Sequence, residues 1–244
     1  MITKNQIKYV RGLSLKKNRV KEQCFIVEGE KCVAELIDSD FEIVELFALK
    51  DWMNQNKDVF QKVKVVSLKE LQRISNLSSP NKVLAVVKAR REKNIEEVSG
   101  LVLVLDQISD PGNLGTIIRM CDWFGVQQII CSRNTVDIYN SKVVQSAMGS
   151  LFRVSVIYTD LSRYLADVKT PVYGAYMSGE DAKGIVNHNN IHLVMGNEAN
   201  GISKKLERYI NKRVSIRNMG DNIDSLNVSV AAVSYTHLTL PTKA

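Results

Sequence analysis

Three short clusters rich in glycine, asparagine and acidic residues are the parts of this sequence best suited to chemistry. The first runs from Asp106 to Arg119, the second spans residues 194–201 and the third spans residues 224–232. Each follows an apolar run that predicts a β-strand, and open α/β sheets bind ligands where their strands end. Glycines leave backbone amides exposed in such loops. The three clusters therefore predict a site for a polar ligand.

Arg119 has the least ordinary setting of these residues, because it lies among four apolar residues of a predicted helix. A cation in that setting requires an anionic or strongly polar partner. A structural explanation stays open, since Asn113 and Ser225 can cap helices and Arg119 can pair with Asp122 one turn further on. Glycine, asparagine and serine also dominate ordinary turns. Only the three clusters together favour a functional site.

Other chemical signatures are missing from the sequence. No G-x-G-x-x-G follows a predicted strand, and Gly179 to Ile185 lacks the Lys-Ser/Thr ending with which a P-loop reaches phosphate and magnesium. His188 and His192 are four residues apart but lack the glutamate of H-E-x-x-H, and zinc sites need three or four ligands. We expect neither a dehydrogenase, nor a P-loop NTPase, nor a metal site.

The first 21 residues carry seven lysines and arginines and no acidic residue. The whole chain has a formal net charge of +7, so its field attracts polyanions such as nucleic acid. A solvated helix face is the alternative explanation of a charge run, but here no counter-charge accompanies it. The residues predicted to contact RNA are Lys4, Lys8, Arg11, Lys16, Lys17 and Arg19.

Strand and helix patterns alternate along the chain that carries these residues. Apolar runs such as Cys24 to Val27 and Leu101 to Leu105 are each followed by a helical pattern. Residues 88–97 are dense in charge and poor in core residues, as connections between domains usually are. The sequence predicts an α/β protein with two domains, residues 1–92 and 99–244, and a parallel sheet in the second.

The amino-acid composition further narrows the class of protein. At 45% hydrophobic and 24% charged residues, the chain can bury a core, which excludes a disordered protein. No apolar run reaches the ~20 residues of a membrane-spanning helix, and the N-terminus lacks the apolar block of a secretory signal, so we expect a cytoplasmic protein. The four cysteines form no C-x-x-C pair and are expected to be reduced core residues.

The three clusters, taken in this order, resemble the SpoU/TrmH family of S-adenosylmethionine-dependent RNA ribose methyltransferases. The resemblance covers nearly the whole chain, including a Phe-x-Val-Glu-Gly segment at residues 25–29 and residues 148–153. The residues that carry the family's three motifs are Asn113, Gly115 and Arg119, then Gly196, Asn197, Glu198 and Gly201, and finally Ser225, Leu226, Asn227 and Ser229.

The resemblance implies a small α/β N-terminal domain that grips RNA and a C-terminal parallel-sheet domain threaded into a trefoil knot. It also implies a homodimer and S-adenosylmethionine as methyl donor, without a metal. The short apolar runs, for their part, predict no membrane association. The residues expected to line the cofactor are Met195, Gly196, Ile216, Met219 and Leu226. Those expected to carry catalysis are Arg119, Asn113, Glu198, Ser225 and Asn227.

In the family, the position of Arg119 assists deprotonation of the ribose 2′-hydroxyl while the other four catalytic residues arrange ribose and cofactor. Arginine normally stays protonated in proteins, so positioning of phosphate and stabilisation of the developing alkoxide is the physical alternative to a general base. Relatives with this N-terminal domain favour ribosomal RNA as substrate. A tRNA substrate, a different methyl acceptor and a catalytically silent RNA- or ribosome-binding protein remain the alternatives.

The sequence departs from the family pattern in two places. Residues 216–220 replace the Ile-Pro-Met that relatives often carry before the third motif. From about Val233 to Ala244 the chain looks foreign to the family, with three threonines and Pro241 where relatives continue a helix. Because β-branched residues and proline disfavour helix, we expect the last helix to be cut short.

Overall fold

The computed structural model describes residues 1–56, 63–90, 94–185, 190–220 and 225–239. Its α-helices are α1 Lys4–Gly12, α2 Lys16–Glu22, α3 Glu30–Ile37, α4 Lys50–Gln55, α5 Leu68–Ile74, α6 Pro111–Phe124, α7 Ser141–Ala147, α8 Leu161–Asp167, α9 Lys204–Glu207 and α10 Val228–Thr239. Its strands are β1 Cys24–Glu28, β2 Ile43–Ala48, β3 Val63–Val65, β4 Val83–Lys88, β5 Gly100–Leu105, β6 Gln128–Ser132, β7 Ser155–Thr159, β8 Val172–Asp181, β9 Asn190–Met195 and β10 Lys212–Ser215. Short 3₁₀ helices occupy Ser150–Phe152 and Ala182–Ile185.

The chain divides into two compact units. The first unit comprises Met1–Arg91 together with Asp137–Arg153, and the second comprises Glu92–Val136 and Val154–Ala244. The first unit is therefore assembled from two separate stretches of sequence.

A four-stranded sheet in the order β1-β4-β2-β3 forms the centre of the first unit. β4 is antiparallel to both of its neighbours, and β2 and β3 are parallel. Val10, Phe47, Leu71 and Leu84 are fully or almost fully buried in one core, which joins α1 and α5 to the sheet. Capping boxes at Thr3 and at the start of α5 fix the beginnings of these two helices.

The segment Asp137–Arg153 contributes α7 to the first unit. The ring of Tyr139 stacks on that of Phe25 of β1, with ring centroids 4.4 Å apart. Phe152 meets Phe41 edge-on at 5.1 Å. Aromatic pairs of this kind add to the burial of their rings, so this distant segment is an integral part of the unit's core.

A six-stranded sheet in the order β10-β8-β9-β5-β6-β7 forms the second unit, and every neighbouring pair in it is parallel. Leu101 to Leu105 in the central strand β5 are all buried, as expected for a parallel sheet covered on both faces. The predicted α/β class with a parallel sheet is confirmed. The carboxyl ends of β5, β6 and β9 lie side by side at one edge of this sheet.

Helix α6 begins at that edge, directly after β5. Asp110 caps it by accepting a hydrogen bond from the amide of Asn113 at 2.9 Å, and Pro111 occupies its first position. The helix ends at Gly125, whose φ of 72° suits a residue without a side chain. Because the apolar face of α6 is buried, Arg119 lies on the exposed face.

The C-terminal helix α10 corrects one sequence-based expectation. We expected the helix to break near Val233, but it continues to Thr239. Tertiary packing outweighs the weak helix propensity here, because Tyr235 and Thr236 are buried and the Tyr235 hydroxyl donates to the Val214 carbonyl at 3.1 Å. Pro241 lies outside the described residues.

Two other expectations can be compared with the structure. All four cysteines are unpaired by disulfides and buried, as predicted. Among the described residues, no helix has the length and apolar character needed to cross a lipid bilayer.

Candidate active site

A chain of side-chain hydrogen bonds joins one residue from each of the three sequence clusters. The Asn227 Nδ2 group donates to Asn113 Oδ1 at 3.0 Å, and Asn113 Nδ2 donates to Glu198 Oε1 at 2.8 Å. The hydrogen bonds run in one direction and end on a carboxylate, an arrangement in which each bond polarises the next. Three residues that are 29 to 114 positions apart in sequence are thus held in one line.

The second oxygen of Glu198 receives two further polar groups. Ser109 Oγ lies 3.4 Å from Glu198 Oε2, and Asn197 Nδ2 lies 3.3 Å from it. Sequence analysis did not place Ser109 or Asn197 among the catalytic or cofactor residues. The available signal was their position, because each lies inside one of the polar clusters.

The loop after β9 owes its shape to Asn197 and two glycines. Asn197 Oδ1 accepts hydrogen bonds from the amides of Ala199 and Asn200, and the backbones of Asn197 and Gly201 bond to each other in both directions. A Cβ atom on Gly196 would lie 2.1 Å from the carbonyl carbon of Gly201. The loop can fold back this closely only because position 196 carries no side chain.

A second set of hydrogen bonds fastens this loop to the end of β5. The Ser203 amide donates to Asp106 Oδ2 at 2.8 Å, and the Ser203 hydroxyl donates to the same oxygen. Gln107 Nε2 donates to Ser203 Oγ at 3.1 Å, while Asn197 Nδ2 donates to the Gln107 carbonyl at 2.8 Å. Asp106 is almost completely buried, so its carboxylate depends on these donors.

Arg119 and Ser225 lie outside this hydrogen-bonded group. Arg119 is exposed on α6, and it makes no hydrogen bond or ion pair with any residue that the structure describes. The pairing with Asp122 that a purely structural explanation required is therefore not formed. Ser225 is exposed two residues before Asn227. An exposed guanidinium that has no partner among the described residues suits an anionic ligand.

The predicted cofactor residues differ widely in exposure. Met195 is buried at the end of β9, and its carbonyl accepts a hydrogen bond from the Asp106 amide at 2.9 Å. Gly196 and Ile216 are half-buried, whereas Met219 is 83% and Leu226 51% exposed. Two exposed apolar side chains and a tight glycine turn fit a ligand that has both an apolar ring and polar groups.

Five of the six residues predicted to contact RNA are exposed on α1 and α2, namely Lys4, Lys8, Arg11, Lys16 and Lys17. The sixth, Arg19, is only 5% exposed, so its prediction as an RNA contact is wrong. Its guanidinium donates to Asp137 Oδ2 at 2.6 Å and to the carbonyls of Leu13 and Ser14 at 3.0 and 2.8 Å. A buried arginine needs partners of this kind, and the acidic one lies 118 residues away in sequence.

The ring of His192 lies between two hydroxyl groups, which indicates a structural role. The Tyr164 hydroxyl lies 2.7 Å from His192 Nε2, and the Thr170 hydroxyl lies 2.8 Å from Nδ1. Burial lowers the pKa of His192 to about 4, so the ring is neutral at neutral pH. His188 lies outside the described residues. Within residues 1–56, 63–90, 94–185, 190–220 and 225–239, no three His, Cys, Asp or Glu side chains are grouped as a metal site requires.

Two family models describe parts of this chain. The SpoU rRNA methylase family matches residues 100–236, and the MRM3-like substrate binding domain matches residues 4–85. The first of these ranges contains the whole hydrogen-bonded group, and the second contains the exposed lysines and Arg11.

Individual proteins resemble the chain as well. The 23S rRNA (guanosine(2553)-2′-O)-methyltransferase RlmP of Bacillus subtilis is 32% identical over 236 residues, which are 94% of each chain. The 23S rRNA (guanosine-2′-O-)-methyltransferase RlmB of Neisseria meningitidis is 34% identical over 139 residues, 54% of each chain. The crystal structure of an AdoMet-bound rRNA methyltransferase from Sinorhizobium meliloti has a TM-score of 0.85 and 27% identity, covering 98% of this chain and 95% of that one.

Proposed function

The chain belongs to the SpoU rRNA methylase family, and on that premise we propose that it methylates a ribose 2′-hydroxyl of ribosomal RNA with S-adenosylmethionine as methyl donor. The observation that carries this proposal is the line of hydrogen bonds Asn227–Asn113–Glu198. It gathers the polar residues of three separate motifs at the edge of a parallel sheet where such folds bind ligands.

S-Adenosylmethionine, when bound, supplies a methyl group on a positively charged sulfur, which an oxygen nucleophile attacks without the help of a metal. Met195, Gly196, Ile216, Met219 and Leu226 would hold it. The apolar side chains among them suit its adenine and methionine portions, and the backbone of the 196–201 loop supplies polar groups.

Glu198 and its partners position the reacting ribose in this proposal. A carboxylate that already accepts hydrogen bonds from Asn113 and Asn197 is fixed in orientation, and its remaining acceptor capacity suits a hydroxyl group. Holding a nucleophile in a fixed geometry lowers the entropic part of the activation barrier and so raises the reaction rate. Ser225, exposed close to Asn227, is the further polar group assigned to this arrangement.

Arg119 acts as a positioning and electrostatic residue. Its forked guanidinium donors hold an RNA phosphate and stabilise negative charge on the 2′-oxygen while the hydroxyl proton passes to solvent water. The exposed, unpaired state of Arg119 among the described residues supports this role. A lysine at this position would supply a point charge without the forked donors.

Ribosomal RNA is the substrate class that we favour over tRNA. The named relatives with guanosine-2′-O-methyltransferase activity act on 23S rRNA. We assign RNA binding to residues 1–92 through Lys4, Lys8, Arg11, Lys16 and Lys17, and methyl transfer to residues 99–244. Such a substrate places the protein with ribosomes, and we infer the cytoplasm as its location.

We also infer a homodimer, in which a second copy covers Trp123 at the C-terminal end of α6 and the exposed face of α10. Trp123 is 85% exposed, Val230 51% and Val233 39%. The two valines are spaced three residues apart on one face of α10, and α10 packs against α6. Sedimentation velocity on the wild type and on Trp123→Glu tests this assignment, and a monomeric wild type would contradict it.

Transfer of labelled methyl groups to unmodified rRNA and tRNA, followed by digestion to nucleosides, tests the proposed reaction. Label on the ribose of rRNA is the expected result. Arg119→Ala and Arg119→Lys should each abolish transfer, while RNA affinity falls by no more than the loss of one phosphate contact. Thr116→Ala, on the same exposed face of α6, is the control and should leave transfer unchanged. A folded wild type that binds RNA without any transfer would refute the enzyme in favour of a binding protein.

A further inference from the structure

The first compact unit contains a cavity that the proposed methyl transfer does not use. It has a volume of about 210 Å³ and lies between β1, the end of α5 and α7. All the residues that line it belong to this one unit. Pockets for drug-sized ligands begin near 300 Å³. This cavity therefore suits a single planar ring system rather than a whole nucleotide.

A buried carboxylate forms the polar end of the cavity. Glu28 is only 6% exposed, and it accepts hydrogen bonds from the Ser75 hydroxyl and from the Asn76 amide, the latter at 3.0 Å. Burial raises the pKa of Glu28, and these two hydrogen bonds, together with one from the Asn76 side-chain amide, oppose that rise. An ionised carboxylate offers about four acceptor positions. The Ser75 hydroxyl and the Asn76 backbone amide use two of these positions, and the exposed Asn76 side-chain amide competes with a ligand for the others on the wall of the cavity.

The remaining lining combines apolar walls with a polar rim. Ile26 and Val144 are buried and provide apolar surface, and Leu77, which is half-buried, also lines the cavity. Gln145 adds a side-chain amide, and Lys142 places an exposed cationic residue at the rim. Apolar walls favour a planar base, while a lysine at the entrance favours the phosphate attached to it.

Hydrogen-bond chemistry selects among the four bases. A carboxylate only accepts hydrogen bonds, so its partner must present donors. Guanine has two adjacent donors, N1–H and the 2-amino group, on its Watson–Crick edge. Adenine and cytosine present an amino donor beside an acceptor nitrogen, and uracil presents a single donor between two carbonyls. A fixed carboxylate therefore prefers guanine.

We propose that this cavity, the Glu28 pocket, binds an unpaired guanine base of the RNA substrate, with Glu28 accepting from N1–H and the 2-amino group. Unpaired bases are the parts of RNA that proteins read by their Watson–Crick edges. The inference rests on the proposed function for its RNA substrate. It adds a sequence-reading residue to a unit whose exposed lysines on α1 and α2 are assigned only to the phosphate backbone.

Nucleotide titrations of the full-length protein, followed by ¹H–¹⁵N NMR, test the pocket. Guanosine monophosphate should shift the side-chain amides of Asn76 and Gln145, and affinity should fall from guanosine to inosine to adenosine monophosphate. Bidentate base recognition gives roughly a tenfold or greater preference. Glu28→Gln, which keeps the size of the side chain, should remove the preference for guanosine over adenosine monophosphate. Equal affinities in the wild type, or an unchanged preference in Glu28→Gln, would overturn the proposal.

Ser75→Ala is the control for a merely structural role of Glu28. It removes the hydroxyl donor to the carboxylate but leaves the carboxylate in the cavity. Both variants are expected to melt at lower temperature than the wild type, yet only Glu28→Gln should lose base selectivity. Selectivity lost equally in both variants would assign Glu28 to holding the end of α5, against the proposal.

A competition experiment with RNA distinguishes binding of an RNA base from binding of a free nucleotide. A single-stranded RNA with one guanosine should displace guanosine monophosphate from the pocket, and its adenosine-substituted counterpart should not. Failure of both RNAs would overturn the RNA assignment in favour of a free nucleotide. Methyl transfer by the wild type is read separately. Its absence contradicts the proposed function, whereas transfer by a protein with a base-indifferent pocket contradicts only this inference.

Discussion

Replacing Asn113 with alanine should weaken methyl transfer by a calculable amount. The substitution removes the donor to Glu198 at 2.8 Å and the acceptor for Asn227 at 3.0 Å. A hydrogen bond to a charged group contributes about 1.5–3 kcal/mol and a neutral one about 0.5–1.5 kcal/mol. Glu198 and Asn227 are exposed, so water replaces part of both bonds, and the lower half of the sum applies. We expect a loss of about 2 kcal/mol, or roughly thirtyfold in kcat/KM.

Asn113→Asp tests the same contact more directly. It keeps the shape of the side chain but replaces the amide that donates to Glu198 with a carboxylate. Two carboxylates about 3 Å apart repel each other by at least about 1.4 kcal/mol even in bulk water. The aspartate variant should therefore be about tenfold less active than the alanine variant. An aspartate variant more active than the alanine variant would show that the Asn113–Glu198 contact does not position the reacting group.

A double-mutant cycle tests whether Asn227, Asn113 and Glu198 act cooperatively through their hydrogen bonds. If they do, Asn113→Ala combined with Asn227→Ala should cost little more than Asn113→Ala alone, with a coupling energy near 1 kcal/mol. Initial rates of methyl transfer give the energies, and circular dichroism melts confirm that each variant is folded. Asn134→Ala, at an exposed asparagine outside the group, is the control. Additive effects within about 0.5 kcal/mol would refute the reasoning.

Three further predictions concern stability and the loop. Burial lowers the pKa of His192 from 6.5 to about 4, so the native state disfavours protonation of the ring. The free energy of unfolding should therefore be at its full value above pH 6.5 and fall by up to about 3 kcal/mol as the pH drops toward 4. Urea titrations of His192→Gln should lack this pH dependence. Gly196→Ala should displace the loop and reduce S-adenosylmethionine affinity by tenfold or more in calorimetry, since its Cβ would meet Gly201 at 2.1 Å; unchanged affinity would contradict the tight turn. Tyr235→Phe should lower the free energy of unfolding by about 1 kcal/mol, because it leaves the Val214 carbonyl without its donor, and a melt equal to wild type would show that α10 does not depend on this bond.

Local pattern was sufficient for the parallel sheet of the second unit and for part of its site. The apolar run Leu101–Leu105 followed by a capped helix predicts β5 and α6, because strand and helix signals there agree. The same pattern placed polar clusters after β5 and β9, and Asn113 and Glu198 do meet. The meeting follows from parallel topology, since the carboxyl ends of neighbouring strands share one edge.

Residues whose environment is set by distant sequence could not be predicted. Arg19 looks like its exposed basic neighbours until Asp137, 118 positions away, is brought beside it. Thr236 has a poor intrinsic preference for helix, yet burial in the second unit overrides that preference. Ser109 gave no signal beyond its neighbourhood, because its contact with Glu198 depends on how two loops fold toward each other.

The discontinuous first unit has a consequence for how this protein is made. Because Tyr139 stacks on Phe25 and Asp137 neutralises Arg19, the first unit is incomplete until residues 137–153 have been synthesised. Until then Phe25 lacks its stacking partner and Arg19 lacks its acidic partner, while 45 residues of the second unit are synthesised between the two parts of the first unit. A gene fragment ending near residue 90 should therefore yield an insoluble or unstable product, and exchange of N-terminal portions between relatives should succeed only when the 137–153 segment travels with them.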